Sequence, residues 1–284
     1  MRRSAEFLRT HKEKASSIKS RICSINLPLI FSPHYVYLEH MPVYFIHSTQ
    51  VEDERVMIGD PLFTHLSKSL RSRPGDLLIL NDDRGRRYHT TIHQITKQVI
   101  YANVRSIQES SPSSTPPITL AQALLKGEKM AWVIQKATEL GVHALAPLVT
   151  ERIIPRVSPI HAAKFQERWD RIALEAAQQS ERWSVPTILP IQTFQEFLQR
   201  EHGGIPIMLA ERQETVSLSK IFLPSEIQGG ITVFIGPEGG WTKEEQQAAQ
   251  SLNVAFATLG KGILRAETAS LASLAILQAR LNYL

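Results

Sequence analysis

The sequence predicts an α/β protein in which a small β-rich amino-terminal module precedes a larger domain of alternating strands and helices. Short apolar segments with period-two alternation and tight turns occupy residues 41–110, a pattern typical of a small barrel or sandwich. From residue 118 onward, strand patterns alternate with amphipathic helix patterns, which favours a parallel sheet with helices on both faces. A segment rich in serine and proline separates the two patterns.

The predicted strands of the amino-terminal module cover residues 42–46, 76–82, 88–95 and 98–107. A helix is predicted over residues 61–75, with Pro74-Gly75 at its end, and a turn over residues 83–87. Residues 108–117 contain three prolines, four serines and a threonine, and we place the linker at residues 111–117.

The predicted strands of the carboxyl-terminal domain, residues 118–284, cover residues 118–124, 142–149, 205–211, 231–236 and 254–260. The predicted helices cover residues 128–141, 162–182 and 267–284. Helical spacing predicts that the first of these helices turns Met130, Val133, Ile134 and Ala137 inward. The same spacing predicts that the second turns Phe165, Trp169, Ile172, Ala173 and Ala176 inward. Gly141 is the predicted carboxyl-terminal cap of the first helix.

Composition limits the kinds of protein that the chain can be. It has 284 residues, 43% hydrophobic and 21% charged, which suits one or two globular domains. No apolar run reaches the length of a membrane span. The single cysteine, Cys23, excludes an intrachain disulfide and a thiolate metal cluster, and the 10 histidines show no metal-ligand spacing. We therefore expect a cytoplasmic protein with neither a metal site nor a membrane segment.

The net charge of +5 is concentrated in two stretches. Residues 65–105 carry eight basic and three acidic side chains, which suits nucleic-acid binding, although a solvated charged face is the commoner cause. Residues 1–40 carry seven basic and three acidic side chains and lie outside the predicted fold. Their apolar part lies too far from the terminus for a signal peptide. An organelle transit peptide and an upstream start codon remain, and we favour the second, with Met41 as the working first residue.

Two glycine-rich loops follow predicted strands in the last third of the chain. The first, Gly236-Pro237-Glu238-Gly239-Gly240, precedes a helix whose start is specified by a capping box, Thr242 with Glu245. The second is the segment LGKGILRAET after the strand over 254–260. Glycine lets backbone approach a ligand closely, and parallel sheets bind ligands at the carboxyl ends of their strands. These loops, with the one after Leu209, therefore predict one shared ligand pocket.

Common nucleotide and metal motifs are missing from the sequence. It has no phosphate-binding G-x-x-x-x-G-K-[ST] loop and no H-E-x-x-H zinc motif, and GKGILR lacks the third glycine of a dinucleotide fingerprint. Four segments instead resemble the signatures of the RsmE family, the 16S ribosomal RNA uridine N3-methyltransferases of the SPOUT superfamily: FIGPEGGWTKEE, LGKGILRAETA, GEKMAWVIQKATELGV and RIALEAAQQSER. The upstream segment PLFTHLSKSLRSRPGDLLILNDDRGRRYHTTI resembles that family's PUA-like domain.

The resemblance implies properties that periodicity does not predict. It implies a PUA-like RNA-binding β-barrel over residues 41–110 and a SPOUT methyltransferase domain over 118–284 with a trefoil knot, an exception to the usual rules for chain connections. It implies S-adenosylmethionine as the cofactor and a homodimer with active sites at the subunit interface. The implied reaction is methylation of N3 of a specific uridine in 16S ribosomal RNA of the small ribosomal subunit.

The resemblance also assigns candidate site residues. The cofactor would contact Leu209, Ala210, Ile235, Gly236, Glu238, Gly239, Gly240, Leu259, Gly260, Ile263 and Leu264. The RNA would contact Lys68, Arg71, Arg73, Arg84, Arg86, Arg87, Glu175, Gln179 and Arg182. The last three fall at i, i+4 and i+7, which predicts one polar line on a helix face, and a solvated face would have the same spacing.

Uridine N3 is a poor nucleophile until its proton leaves, so methyl transfer needs a base or a cation that stabilises the anionic ring. Arg265 is the candidate cation, unless it only pairs with Glu267 to order the loop. Glu267 is the candidate base or the group that positions Arg265, and a carboxylate on a helix dipole is the simpler alternative. Glu238 is expected to orient its loop rather than to react.

The chain departs from the family at two positions. Gly262 stands where the family usually has arginine, and Ala131 where it often has an acidic residue. Two other functions stay open on the sequence alone: ribose 2′-O-methylation of RNA, and RNA or ribosome binding without catalysis. The intact GPEGG and ILRAET segments oppose the second of these.

Overall fold

The computed structural model describes residues 42–111, 115–153, 159–200, 204–210 and 215–282. The predicted extension 1–40 and residues 112–114 of the predicted linker lie outside these ranges. Residues Pro42–Leu284 form one compact unit.

The first part of this unit is a six-stranded sheet with the order β1-β4-β5-β6-β3-β2. Its strands are β1 Val43–Phe45, β2 Val51–Glu52, β3 Arg55–Ile58, β4 Leu77–Asn81, β5 Arg86–Ile95 and β6 Ile100–Glu109. Only the pair β1 and β4 is parallel. The predicted strands are confirmed, whereas the short hairpin of β2 and β3 has no counterpart in the prediction.

A helix and a turn of this module are shorter than predicted. The predicted helix over residues 61–75 is much shorter: α1, Leu62–Thr64, runs directly into a π-helical turn, His65–Ser69. The predicted turn over 83–87 is shorter as well, because Arg86 and Arg87 already belong to β5 and pair with β6. The turn closes around the buried carboxylate of Asp82, which accepts hydrogen bonds from the backbone N–H groups of Arg84 and Arg86.

The second part is an eight-stranded sheet, β10-β8-β7-β13-β11-β14-β12, with β9 also pairing with β8. Its strands are β7 Ile118–Ala123, β8 Ala144–Val149, β9 Thr187–Ile188, β10 Gln192–Thr193, β11 Ile205–Leu209, β12 Val216–Ser217, β13 Ile231–Ile235 and β14 Ala255–Thr258. Every pair is parallel, as the alternating pattern predicts. The order does not follow the chain, since β13 lies between β7 and β11, and β14 lies between β11 and β12.

Helices cover both faces of this sheet. They are α2 Lys129–Glu139, α3 Pro159–Gln179, α4 Phe194–Leu198, α5 Lys243–Ser251 and α6 Ala266–Arg280. Successive strand residues alternate between two apolar clusters: Val233 packs with residues of α2, α3 and α6, and Phe234 packs with residues of α4 and α5. This alternation confirms the predicted three-layer arrangement.

The inward faces of two helices were predicted from their spacing. Met130, Val133, Ile134 and Ala137 are buried in α2, and Gly141 follows that helix with a φ of 81°, as a glycine at a helix end does. In α3, Trp169 is buried as predicted, but Phe165 is 37% exposed and stacks on the Trp169 ring at a centroid distance of 5.4 Å. Phe165 therefore covers the core from outside rather than filling it.

A group of polar contacts joins the two sheets. Asn81 of β4 donates a hydrogen bond from Nδ2 to the Arg182 carbonyl, at 2.8 Å. Arg87 of β5 donates from Nε to Asn81 Oδ1 and from Nη2 to the Glu181 carbonyl, at 2.9 and 2.8 Å. The Arg87 guanidinium also lies 4.2 Å from the centre of the Trp183 ring, within the range of a cation–π contact. Burial lowers the pKa of Arg87, partly offset by the Glu181 carboxylate.

None of the helices described is long and apolar enough to cross a membrane. The described ranges contain no group of three or more histidine, cysteine or acidic side chains placed to hold a metal ion.

Replacing Arg87 tests the contact between the sheets. We expect Arg87→Ala to lower the free energy of unfolding by roughly 1–2 kcal/mol, because it leaves Asn81 Oδ1 and the Glu181 carbonyl without their donor. Urea unfolding measures this change. Arg84→Ala is the matched control, since Arg84 is an exposed arginine in the preceding turn whose side chain contacts no partner in the described part of the chain. Equal effects of the two substitutions would contradict the assignment.

Candidate functional site

Three adjacent parallel strands end at the same edge of the eight-stranded sheet. These are β13, β11 and β14, which end at Ile235, Leu209 and Thr258. The loops that follow them enclose a cavity of about 920 Å³. All the residues predicted to contact a cofactor line it: Leu209, Ala210, Ile235, Gly236, Glu238, Gly239, Gly240, Leu259, Gly260, Ile263 and Leu264. The structure thus brings together the glycine loops that the sequence placed in one pocket.

Trp241 fixes the glycine loop after β13 against the end of β11. Its indole Nε1 donates a hydrogen bond to the Leu209 carbonyl at 3.0 Å, and only 7% of the side chain is exposed. A Cβ atom on Gly236 would lie 3.1 Å from that nitrogen, closer than ordinary packing permits. Gly236 is therefore required by the packing of Trp241, whatever the cavity holds.

The loop after β8 holds the same glycine loop from another side. Arg152 donates a hydrogen bond from Nη1 to the Gly239 carbonyl at 2.9 Å, and it lines the cavity. Next to it, the backbone N–H of Glu151 donates to Glu245 Oε1 at 3.0 Å. The other carboxylate oxygen of Glu245 accepts from the N–H of Thr242, which confirms the predicted capping box at the start of α5. The glycine loop is thus anchored at its carboxyl end, by Arg152 at Gly239 and by Trp241.

Three other glycines of the lining have open space around them. Gly240 and Gly260 have φ values of 70° and 128°, which side chains rarely permit. A Cβ atom on either of them, or on Gly262, would meet no atom within 4 Å. Protein packing does not explain these glycines, so their bare backbone leaves room in the cavity itself.

An ion-paired cluster lies beside the cavity. Lys129 Nζ is 3.0 Å from Glu238 Oε1 and 3.5 Å from Glu267 Oε1. Burial would raise the pKa of Glu238, but the hydrogen bond from Lys129 and the nearby positive charges hold that pKa below its usual value. The hydrogen bond to Glu238 raises the pKa of Lys129 in turn. Both groups therefore stay charged at neutral pH.

The two predicted catalytic residues have different surroundings. Arg265 caps α6, lines the cavity and is exposed, and its side chain has no partner among the residues that the structure describes. Glu267 does not line the cavity: its side chain is 15% exposed, and its Oε2 has no hydrogen-bond partner in the described ranges. Arg265 and Glu267 do not form the ion pair that was considered for them, because Glu267 faces Lys129 instead.

Comparison with known proteins identifies relatives over most of the chain. A family model described as an RNA methyltransferase domain matches residues 112–278. The ribosomal RNA small subunit methyltransferase E of Bacillus subtilis is 30% identical over 243 residues, covering 82% of this chain and 94% of that protein. Its counterpart from Synechocystis is 32% identical and covers 82% and 76%.

Solved structures agree with the relatives. The crystal structure of a ribosomal RNA small subunit methyltransferase E from Neisseria gonorrhoeae, bound to S-adenosyl methionine, is 35% identical to this chain. The match has a TM-score of 0.73 and covers 85% of this chain and 98% of that one. The chain belongs to the ribosomal RNA small subunit methyltransferase E family.

The predicted RNA contacts fall into two groups. Lys68, Arg71, Arg73 and Arg84 are exposed, and their side chains contact no partner in the part of the chain that the structure describes. Arg86 pairs with the buried Asp82 at 2.8 Å and lies over the Tyr88 ring, and Arg87 is held between the two sheets. The guanidinium groups of the second pair already have partners within the protein.

The prediction that Glu175, Gln179 and Arg182 form one polar line on a helix face is wrong for Arg182. The helix ends at Gln179, and Glu181 has a φ of 52°, so Arg182 lies outside the helical register. Arg182 instead donates a hydrogen bond from Nη1 to the Thr138 carbonyl at 2.8 Å. Glu175 and Gln179 do share a face, where they line a depression of about 520 Å³ between α2 and α3.

Sequence reasoning missed residues that hold the loops of the site in place, among them Arg152, Trp241 and Lys129. Trp241 and Lys129 lie inside the segments that carry the family resemblance, which is the signal that could have found them. Arg152 lies outside those segments, and its contact with Gly239 spans 87 positions of the chain. No local pattern marks such a residue.

Trp241→Phe tests how the glycine loop is held. We expect it to lower the free energy of unfolding by about 1–2 kcal/mol, since the Leu209 carbonyl loses its donor. We also expect faster amide hydrogen exchange in the loop over 236–240, measured by mass spectrometry. The control is Trp132→Phe on α2, whose ring is 43% exposed. Unchanged exchange in Trp241→Phe would show that the loop does not depend on this hydrogen bond.

Proposed function

We propose that this chain is an S-adenosylmethionine-dependent methyltransferase that methylates N3 of a uridine in 16S ribosomal RNA of the small subunit. The observation that carries the proposal is the single cavity formed by the glycine loops, in a chain whose RNA methyltransferase match spans 112–278. A relative of 35% identity binds S-adenosyl methionine.

The residues around the cavity fit this cofactor. The volume of about 920 Å³ lies within the range of small-molecule sites. The backbone N–H of Gly240 already donates to the Pro237 carbonyl and that of Gly260 to the Thr258 hydroxyl, so these glycines offer their C=O groups for polar contacts. Ile263 and Leu264 offer an apolar wall for the adenine ring. The ionised carboxylate of Glu238 is an acceptor for hydroxyl or ammonium donors. S-Adenosylmethionine supplies an electrophilic methyl group when bound.

Arg265 is the residue that we assign to the chemistry of the uridine. Loss of the N3 proton leaves negative charge on the ring, and a guanidinium that stays charged at any working pH stabilises it. Arg265 can play this part because it lines the cavity and because its charge has no counter-ion in the described part of the protein. Glu267 does not line the cavity and faces Lys129 at 3.5 Å, so we assign it the role of holding the first turn of α6, which follows Arg265, against the start of α2.

Family membership and topology support further structural proposals. We place a PUA-like barrel at residues 41–110, the linker at 111–117 and the SPOUT domain at 118–284. Insertion of β13 between β7 and the earlier strand β11 is the kind of connection that a trefoil knot needs. A homodimer with composite active sites and a cytoplasmic location complete the proposal.

The decisive experiment identifies the methylated atom. Purified protein, S-adenosylmethionine and unmethylated small subunits are incubated, and the 16S RNA is digested and analysed by nucleoside mass spectrometry. We expect 3-methyluridine at one position. A ribose 2′-O-methyl product would support the rival RNA methyltransferase reaction, and RNA binding without a methylated product would support a non-catalytic role. Either result would overturn the proposal.

Replacing Arg265 distinguishes an effect on the chemical step from an effect on binding. We expect Arg265→Ala to lower the single-turnover rate on the order of a hundredfold, because one preorganised charge partner is lost. Calorimetric titration should give a nearly unchanged dissociation constant for S-adenosylmethionine. Arg200→Ala is the control, an exposed arginine that lies outside the cavity lining. Loss of cofactor binding in Arg265→Ala, or an unchanged rate, would refute this role.

The exposed basic residues of the first module are expected to contact RNA phosphates. Combined replacement of Lys68, Arg71, Arg73 and Arg84 by alanine should weaken RNA binding and reduce the slope of log affinity against log salt by about one for each lost contact. Turnover at saturating RNA should stay near normal. Lys164→Ala on α3 serves as the control. A salt slope equal to that of the unmodified protein would show that these residues do not contact phosphate.

A further inference from the structure

Lys129 occupies a position that helix electrostatics disfavour. It is the first residue of α2, where the partial positive charge of a helix N-terminus repels a cation. Two carboxylates offset this repulsion, one from the glycine loop after β13 and one from the first turn of α6. A residue whose charge is unfavourable in its own helix, but is paired with charges from distant parts of the chain, is a candidate for a functional role.

The two carboxylates that hold Lys129 differ in their access to the cavity. Glu238 lines the cavity, and its side chain is 36% exposed. Glu267 is 15% exposed and does not line it. Lys129 contacts Oε1 of Glu238, at 3.0 Å, and no side chain among the described residues donates to the other carboxylate oxygen. Lys129 thus holds Glu238 by one oxygen, while Glu267 holds Lys129 from the more buried side.

This arrangement fixes two walls of the cavity relative to each other. Glu238 belongs to the loop between β13 and α5, and Glu267 follows directly on the turn that carries Arg265. One ammonium group between these carboxylates ties both loops to the start of α2. A neutral side chain at position 129 would release both, and it would leave two carboxylates near each other without the ion pair that separates them.

We propose that Lys129 is a positioning residue for the cofactor, acting through Glu238. It sets the rotamer of the Glu238 carboxylate so that the free oxygen accepts a hydrogen bond from a hydroxyl or ammonium donor of S-adenosylmethionine. This inference rests on the proposed function, because it assigns the cavity to that cofactor. It adds a residue that does not line the cavity itself and that acts only through the loop that does.

The test measures cofactor binding by calorimetry, without any turnover. Lys129→Met should weaken S-adenosylmethionine binding by about fivefold, the scale of a partly exposed ion pair. Lys129→Arg keeps the charge and should restore most of the affinity. Lys136→Met is the matched control: Lys136 lies on the same helix, is 35% exposed against 37% for Lys129, and pairs with Glu139 at 2.7 Å.

A double-mutant cycle distinguishes positioning from a direct effect of charge. In a Glu238→Gln background, Lys129→Met should weaken binding further by less than about twofold, because the carboxylate through which Lys129 acts is gone. If Lys129→Met weakened cofactor binding in that background as much as it does in the unmodified chain, the inference would be overturned. Unchanged affinity in Lys129→Met alone would also overturn it. Urea unfolding checks the fold of each variant, and Glu238→Gln alone must weaken binding even if Lys129→Met does not fold. An unmodified chain that fails to bind the cofactor would refute the proposed function itself, which keeps the two failures apart.

Discussion

The site depends on one constraint: β13, β11 and β14 are neighbours in a parallel sheet, so their chains all leave at the same edge. Three loops must then share one small space, and a side chain on each of their residues would fill it. The glycines reduce this crowding. Trp241 and Arg152 hold the loops by donating hydrogen bonds to the backbone carbonyls of Leu209 and Gly239. The cavity is what is left between loops that hold each other in place.

This constraint explains why much of the site was predictable from sequence. Glycines after an apolar run mark the carboxyl end of a strand in the local sequence. The alternation of strands with helices predicts that the sheet is parallel. Together these two signals place the loops after Leu209, Ile235 and Leu259 at one edge without any knowledge of strand order. The capping box of Thr242 with Glu245 is equally local, since its partners are three residues apart. Signals carried by neighbouring residues predicted the elements and the shared pocket of the loops, whereas the individual lining residues were implied by the family resemblance.

What the sequence could not predict depends on distant partners. Lys129 meets Glu238 across 109 positions, and Arg87 meets the Glu181 carbonyl across 94. Periodicity says which face of an element is apolar, but not which polar group on another element will lie opposite. The basic stretch over 65–105 therefore suggested equivalent phosphate contacts, whereas in the structure Arg87 joins two sheets and Arg84 remains exposed. Strand order could not be predicted for the same reason, because β13 enters between strands that precede it in the chain.

The partners of the two arginines in the lining also bear on which substrate suits the cavity. Arg152 and Arg265 both line it, but Arg152 donates to the Gly239 carbonyl, while Arg265 has no partner in the described part of the chain. Water solvates Arg265 as long as the cavity is open. A substrate that covers the cavity removes this water, and a buried guanidinium is costly unless an anion or a strong acceptor replaces it. A uridine that loses its N3 proton spreads negative charge over the ring and its carbonyl oxygens, so it provides that partner as the reaction proceeds. In the proposed reaction, the cost of covering Arg265 is offset as the ring becomes anionic, which would tie recognition of the base to its activation.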